Sequence, residues 1–326
     1  MSEHVEETDE AAQHEAASAS VQAAGSPPAM ALALLKAMRP KQWVKNLFVL
    51  APLFFSKSFL LTDKAALGAL AFGLFCLTAG TVYLINDLFD VEKDRAHPVK
   101  RKRPIASGLL PVKVAWIAAA VVGLGSQIAA WSVDLRFGGV LTGYLVMNLA
   151  YSTVLKHVVF VDVLIIAVGF VLRVLAGAFA IDVFISEWLI GCTFLLSLYL
   201  GLGKRSHELK LVRLGKADKV RKVLERYRAD QLDFAVLFVA GLTIACYTIY
   251  TLTAALPDQP LRSQHTPFAS PYLPMTIPLA VYGITRFYML LQKDSMESPT
   301  ELILSDLPFI LNIVVWGLSM VVLAFT

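Results

Sequence analysis

Asn86, Asp90 and Asp94 recur every fourth residue, and Tyr83 stands three before the first of them. On a helix that spacing gathers the side chains on one face. Amide and carboxylate oxygens suit Mg²⁺, which takes one or two carboxylates and completes its shell with water and phosphate oxygens. Asn86 and Asp90 are the first candidates as catalytic metal ligands, Asp94 is next, and Asp87 is a weaker one. Directly downstream, Lys100, Arg101, Lys102 and Arg103 supply cations able to close on the same phosphates. A basic run alone reads as ordinary charge at a membrane surface. Preceded by this acidic spacing, it reads as a site for a metal-bound diphosphate.

The elements that must hold such a loop are helices in lipid. The 326 residues are 57% hydrophobic and 17% charged, against about a quarter charged in soluble proteins. Ala65 to Ile85, Phe234 to Leu256 and Leu307 to Phe325 carry no charge at all, and each approaches the roughly 20 residues that cross a bilayer. Nine spanning helices are expected, near 47–61, 65–85, 114–131, 137–155, 159–183, 188–203, 232–256, 273–292 and 307–325. Pro52 and Lys57 make the first the weakest. Helix 65–85 is expected to run on to Arg95. Most of the 29 lysines and arginines fall in the segments that a cytoplasmic N-terminus would place inside. Outside stand only Lys57, Lys64, Arg136 and Arg262, the positive-inside signature of a chain with its active loops in the cytoplasm.

Residues 1–28 form an acidic tail without Lys or Arg, expected to be disordered, ahead of a nine-helix domain over 29–326 that opens with a short interfacial helix. Cys76, Cys192 and Cys246 lie in apolar segments and read as small hydrophobes. The basic stretch Lys204 to Arg228 reads as an interfacial segment on anionic lipid, with Glu208 four residues from Lys204, and nucleic acid is not an expected partner. His97 and His157 lack the spacing of a metal pair. Asp306 and Arg286 could meet.

The run N-D-x-x-D-x-x-x-D-R-x-x-x-x-K-x-x-R-P-I-A-S-G, from Asn86 to Gly108, resembles the first signature of the UbiA superfamily of intramembrane prenyltransferases, and the similarity extends over most of the chain from about Leu34. It implies an all-α fold of nine helices around a central cavity open to lipid. Arg39 to Asn46, Tyr151 to Lys156, Arg173 with Ala176-Gly177-Ala178, and Gly203 to Leu209 narrow the resemblance to the branch acting on polyprenyl phosphates in cell-wall arabinan synthesis. The implied substrates are 5-phosphoribosyl 1-diphosphate and decaprenyl phosphate, in the plasma membrane of an actinobacterium-type cell. A homo-oligomer remains open.

Members of the superfamily that prenylate aromatic acceptors carry a second acidic motif. Here the corresponding stretch, Tyr151 to Asp162, holds one aspartate and Lys156. That departure favours a sugar diphosphate with a further phosphate over a prenyl diphosphate. By resemblance and charge, Lys41, Tyr83, Lys100, Arg103, Tyr151 and Lys156 are candidates for the donor. Lys45, Arg173, Lys204 and Arg205 are candidates for the lipid phosphate or the 5-phosphate. Bland readings stand beside these: Lys41 and Lys45 as anchors flanking Trp43, the tyrosines as interfacial aromatics, Lys204 and Arg205 as topology charge. Arg173, deep in a helix, requires a partner or a watery cavity. Prenyl transfer to an aromatic acceptor and non-enzymatic carriage of lipid phosphates are the competing functions.

Overall fold

The computed structural model describes residues 27–153, 158, 160–215, 228–255, 270–293 and 299–325. All regular structure among them is helical: α1 (Pro27–Ala37), a 3-10 segment (Pro40–Leu50), α2 (Ala51–Phe55), α3 (Thr62–Phe89), α4 (Val91–Arg95), α5 (Val112–Val133), α6 (Leu135–Thr153), α7 (Val161–Ala180), α8 (Glu187–Arg213), α9 (Ala229–Ala255), α10 (Ile277–Leu291), α11 (Pro299–Ser305) and α12 (Leu307–Ala324). The tail before residue 27, Lys156, His157, Arg262 and residues 216–227 of the basic stretch lie outside the described residues.

By length and composition α3, α5, α7, α9 and α12 can each cross a membrane. Their surfaces agree. Trp116, Ile117, Val121, Leu124 and Ile128 stand exposed along α5, and Leu311, Val314, Val315, Leu318 and Val322 along α12. Continuous bare apolar faces of that size are foreign to a water-facing surface, so the chain is a multi-pass membrane protein. The other expected spans fall on α6, α8, α10 and the first segment, which are shorter or more polar.

That first segment differs most from the expectation of one helix over 47–61. Eleven residues form a 3-10 helix, where runs beyond three or four are uncommon. Pro52 then opens the five-residue α2, its missing N–H falling in the first turn where no partner is needed. Lys57 turns the chain with a left-handed φ of 56°.

Contacts divide the chain into two compact units, Met1–Asn46 with Gly73–Ala129, and Leu47–Phe72 with Ala130–Thr326. The first packs α1, the C-terminal part of α3, α4 and α5 around Ala37, Leu84, Leu88, Ile105, Leu110 and Ala115. Thr78 and Ser126 share a buried hydrogen bond of 3.0 Å between α3 and α5, polar pairing of the kind that joins helices in lipid.

The second unit has its core between α8, α9, α10 and α12, on Tyr199, Leu202, Leu232, Val236, Phe287 and Phe309. Tyr199 Oη donates to the Ile284 carbonyl at 2.8 Å. Asp306 caps α12 by accepting from the Phe309 N–H at 2.9 Å. The same carboxylate takes two hydrogen bonds from Arg286, at 3.1 and 2.7 Å, so the contact anticipated between these residues is present. The hydrogen bond from Arg286 holds the Asp306 carboxyl below the usual carboxylate range.

Candidate active site

The last turns of α3 carry the acidic residues, and the helix loosens where they begin. Asn86 and Asp87 lie within α3, Asp90 sits at the break between α3 and α4, and Asp94 lies in α4. The Asp90 N–H still donates to Asn86 O (3.1 Å) and the Asp94 N–H to Asp90 O (2.8 Å). The expected helix to Arg95 is therefore nearly continuous, with one turn's distortion at Asp90. The loop beyond folds back through a 3-10 turn, Lys100–Lys102. His97 organises that turn: its Nδ1 accepts from the Val99 and Lys100 N–H groups at 3.2 and 3.3 Å.

Folding back brings Arg103 onto the acidic face. Its Nη1 reaches Asp94 Oδ2 at 2.6 Å and Asp87 Oδ1 at 3.1 Å. Lys100 Nζ lies 3.9 Å from Asp94 Oδ1. From the other side Arg39 Nη2 reaches Asp87 Oδ1 at 2.5 Å, and its guanidinium lies 4.8 Å over the Tyr83 ring. Asp87 and Asp94 are buried, and seven residues apart they share a helix face.

The acidic residues thus divide into two kinds. Asp87 and Asp94 are closed by cations. Asp90 is 38% exposed and, among the described residues, pairs with the exposed Lys93 alone, at 3.4 Å. Asn86 Oδ1 is buried and has no hydrogen-bond partner among the described residues. An orphaned buried acceptor beside an open carboxylate is the donor set that a hard cation would complete. Among the described residues no three His, Cys, Asp or Glu side chains converge enough to hold a metal by themselves.

Arg39 is the residue that sequence reasoning missed. It was quoted only as the start of a motif, and 48 positions separate it from Asp87. The available signal was its place before Pro40, which disfavours helix and frees the side chain from a helical register; its φ is 55°. Lys41 and Lys45 follow it on the exposed side of the 3-10 segment, which Trp43 fastens by donating to the Met38 carbonyl at 3.2 Å.

The remaining candidates belong to the second unit. Arg173 is buried in α7, with Nη1 donating to Gly169 O at 2.7 Å and Nη2 to Tyr144 Oη at 3.0 Å. Its guanidinium lies against the Tyr144 and Phe170 rings, the polar lodging an arginine needs inside a membrane helix. Tyr151 is half-buried near the end of α6, and Lys204 is exposed on α8. Arg205 is 2% exposed, with Nε 2.7 Å from Asp162 Oδ2 and Nη1 2.5 Å from Glu208 Oε2. Glu208 therefore pairs with Arg205, three residues back. α8 runs on as far as Arg213, where the span was expected to end at 203.

Arg205→Met would take the guanidinium away from the fully buried Asp162 carboxylate, at a cost of about 3–5 kcal/mol. A drop in melting temperature in detergent is expected for Arg205→Met and none for Lys204→Met, measured side by side.

The second unit also encloses an apolar cavity of about 530 Å³, whose walls include Phe48, Phe55, Trp188, Tyr247, Asn312 and Trp316. Trp316 donates to Tyr247 Oη (3.0 Å), which bonds Thr276 Oγ1 (2.7 Å), so the polar ends of these two rings are satisfied within the protein.

An acidic helix end closed by a returning basic loop, in a bundle built for lipid, defines an intramembrane transferase, and the chain belongs to the UbiA prenyltransferase family, whose profile matches residues 46–313. Within it, the decaprenyl-phosphate phosphoribosyltransferase of Mycolicibacterium smegmatis is 36% identical over 87% of this chain and 89% of its own length. The decaprenyl-phosphate phosphoribosyltransferase of Corynebacterium glutamicum is 34% identical over 86% of this chain and 83% of its own. A solved UbiA homologue from Archaeoglobus fulgidus, bound to GPP and Mg²⁺, superposes with a TM-score of 0.63 at 16% identity, over 90% of this chain and all of that one. The expected all-helical UbiA fold is present.

Proposed function

We propose that this chain transfers 5-phosphoribose from 5-phosphoribosyl 1-diphosphate to decaprenyl phosphate, releasing diphosphate, at the cytoplasmic face of a cell membrane crossed nine times. The observation that carries the choice of donor is the state of Asp162. It is the only acidic residue in the stretch where aromatic prenyltransferases of the superfamily place a second acidic motif, and it is fully buried against Arg205. One acidic cluster then faces the donor, with Arg39, Lys100 and Arg103 around it, which suits a highly anionic sugar diphosphate.

Asn86 Oδ1 and Asp90 would hold Mg²⁺, with Asp94 joining if Arg103 leaves it. When bound, the ion supplies electrostatic stabilisation of the departing diphosphate. Lys100 and Arg103 place fixed positive charge on the same oxygens. The C1–O bond to diphosphate breaks and a bond from C1 to an oxygen of the lipid phosphate forms. That phosphate is already an anionic nucleophile, so no protein base has to remove a proton. Tyr83, Lys41, Tyr151 and Lys156 are further donor contacts by this reading, and Lys45, Arg173 and Lys204 contacts to the outlying phosphates. Arg205 serves them by holding Asp162. The apolar cavity of the second unit suits the isoprenoid chain of the acceptor.

Membranes containing the protein, given labelled phosphoribosyl diphosphate, decaprenyl phosphate and Mg²⁺, are expected to yield a labelled lipid and free diphosphate. Turnover on a prenyl diphosphate with an aromatic acceptor, and none on the sugar donor, would overturn the assignment.

A further inference from the structure

We propose that Arg39 is a positioning residue, the fixed counter-ion of Asp87 that releases Arg103 to the donor's phosphates. The inference rests on the functional reading above. The geometry gives each closed carboxylate two cations. Asp87 has Arg39 at 2.5 Å and Arg103 at 3.1 Å. Asp94 has Arg103 at 2.6 Å and Lys100 at 3.9 Å. Arg103 is the member common to both pairs, and its departure leaves each carboxylate one cation, Asp87 with Arg39 and Asp94 with Lys100.

Arg39 is built to stay. Its contact with Asp87 is the shorter of the two, the Tyr83 ring braces the guanidinium at 4.8 Å, and its backbone is held at φ 55°, a conformation an arginine keeps only where its surroundings fix it. Arg103 sits at the end of a 3-10 turn in extended backbone and divides its contacts between the two carboxylates. A buried carboxylate does not tolerate the loss of its last partner. Without Arg39, Arg103 would be retained on Asp87 and denied to the diphosphate.

The test is a set of variants of the full-length protein in detergent or nanodiscs. Binding of Mg²⁺ with inorganic pyrophosphate is read by calorimetry and transfer by steady-state kinetics. Arg39→Met is expected to weaken pyrophosphate binding and raise the donor KM by about 10- to 100-fold, one or two powers of ten for a lost charge-assisted contact, with kcat within about threefold. Adding Asp87→Asn removes the charge that detains Arg103, so the Arg39→Met/Asp87→Asn protein is expected to regain most of the lost affinity. Arg39→Lys, which keeps the charge but not the planar fork, is expected to fall between wild type and Arg39→Met, and it carries the test if Arg39→Met does not fold. Wild-type affinity in Arg39→Met, or no recovery in the double variant, would overturn the role given to Arg39. Wild-type protein that transfers no phosphoribose would instead overturn the functional reading.

Discussion

Asp90→Asn is expected to lower phosphoribosyl transfer by about 100-fold or more while leaving the fold intact. The carboxylate is 38% exposed, and its one ion pair among the described residues is with a lysine three residues on that is itself 81% exposed. Such surface pairs contribute little, about 0–1 kcal/mol, so the melting temperature should hold. What the substitution removes is the negative charge beside the unpartnered Asn86 oxygen. The remaining neutral pair binds a divalent cation poorly, and raising the Mg²⁺ concentration should recover part of the rate. Asp94→Asn provides the contrast, because its buried carboxylate also holds Arg103 and Lys100. That variant is expected to lose stability as well as rate. Transfer by Asp90→Asn within threefold of wild type at limiting Mg²⁺ would remove Asp90 from the metal site.

Gly177→Ala is expected to destabilise the protein by about 3 kcal/mol or more, the upper end of overpacking. A Cβ at this position of α7 would stand 1.8 Å from the carbonyl oxygen of Val49 and 2.8 Å from its carbonyl carbon. Those are backbone atoms of the 3-10 segment, so no rotamer change relieves the clash and the two elements must separate. The control is Gly241→Ala in α9, where an added methyl meets nothing within 4 Å. There alanine is expected to be neutral or to stabilise by up to about 1 kcal/mol through helix propensity. Thermal unfolding of both variants in detergent measures the difference. Equal melting temperatures would mean that α7 and the 3-10 segment do not pack this closely.

Gly177 also shows where the sequence was legible and where it was not. Ala176-Gly177-Ala178 stood out only as part of a resemblance, because its reason is a backbone 128 positions earlier in the chain. Uncharged runs announced α3, α9 and α12, since a membrane helix is specified by its own composition. The four-residue spacing put Asn86 and Asp90 one helical turn apart, a local relation, and the Asp90 N–H does donate to Asn86 O at the break after α3. It did not reveal that Asp87 and Asp94 form the face closed by arginines, for that depends on the loop folding back to deliver Arg103 and on Arg39 arriving from before α3. Arg205 read as a phosphate contact or as topology charge for the same reason: Asp162, its partner, lies 43 residues away. Arg286 and Asp306 were easier, being 20 residues apart and flanking adjacent helices.

The long 3-10 segment has a further consequence, for where the molecule opens first. Its i to i+3 bonds are poorer than those of an α-helix, yet Leu47 and Phe48 within it line the apolar cavity. Proteins open locally in cooperative patches whose free energies range from near zero to that of global unfolding. A wall made of the weakest helical geometry in the chain belongs at the low end of that range. The side of the cavity formed by Leu47 and Phe48 is therefore expected to lose amide-exchange protection before α7 to α10 do.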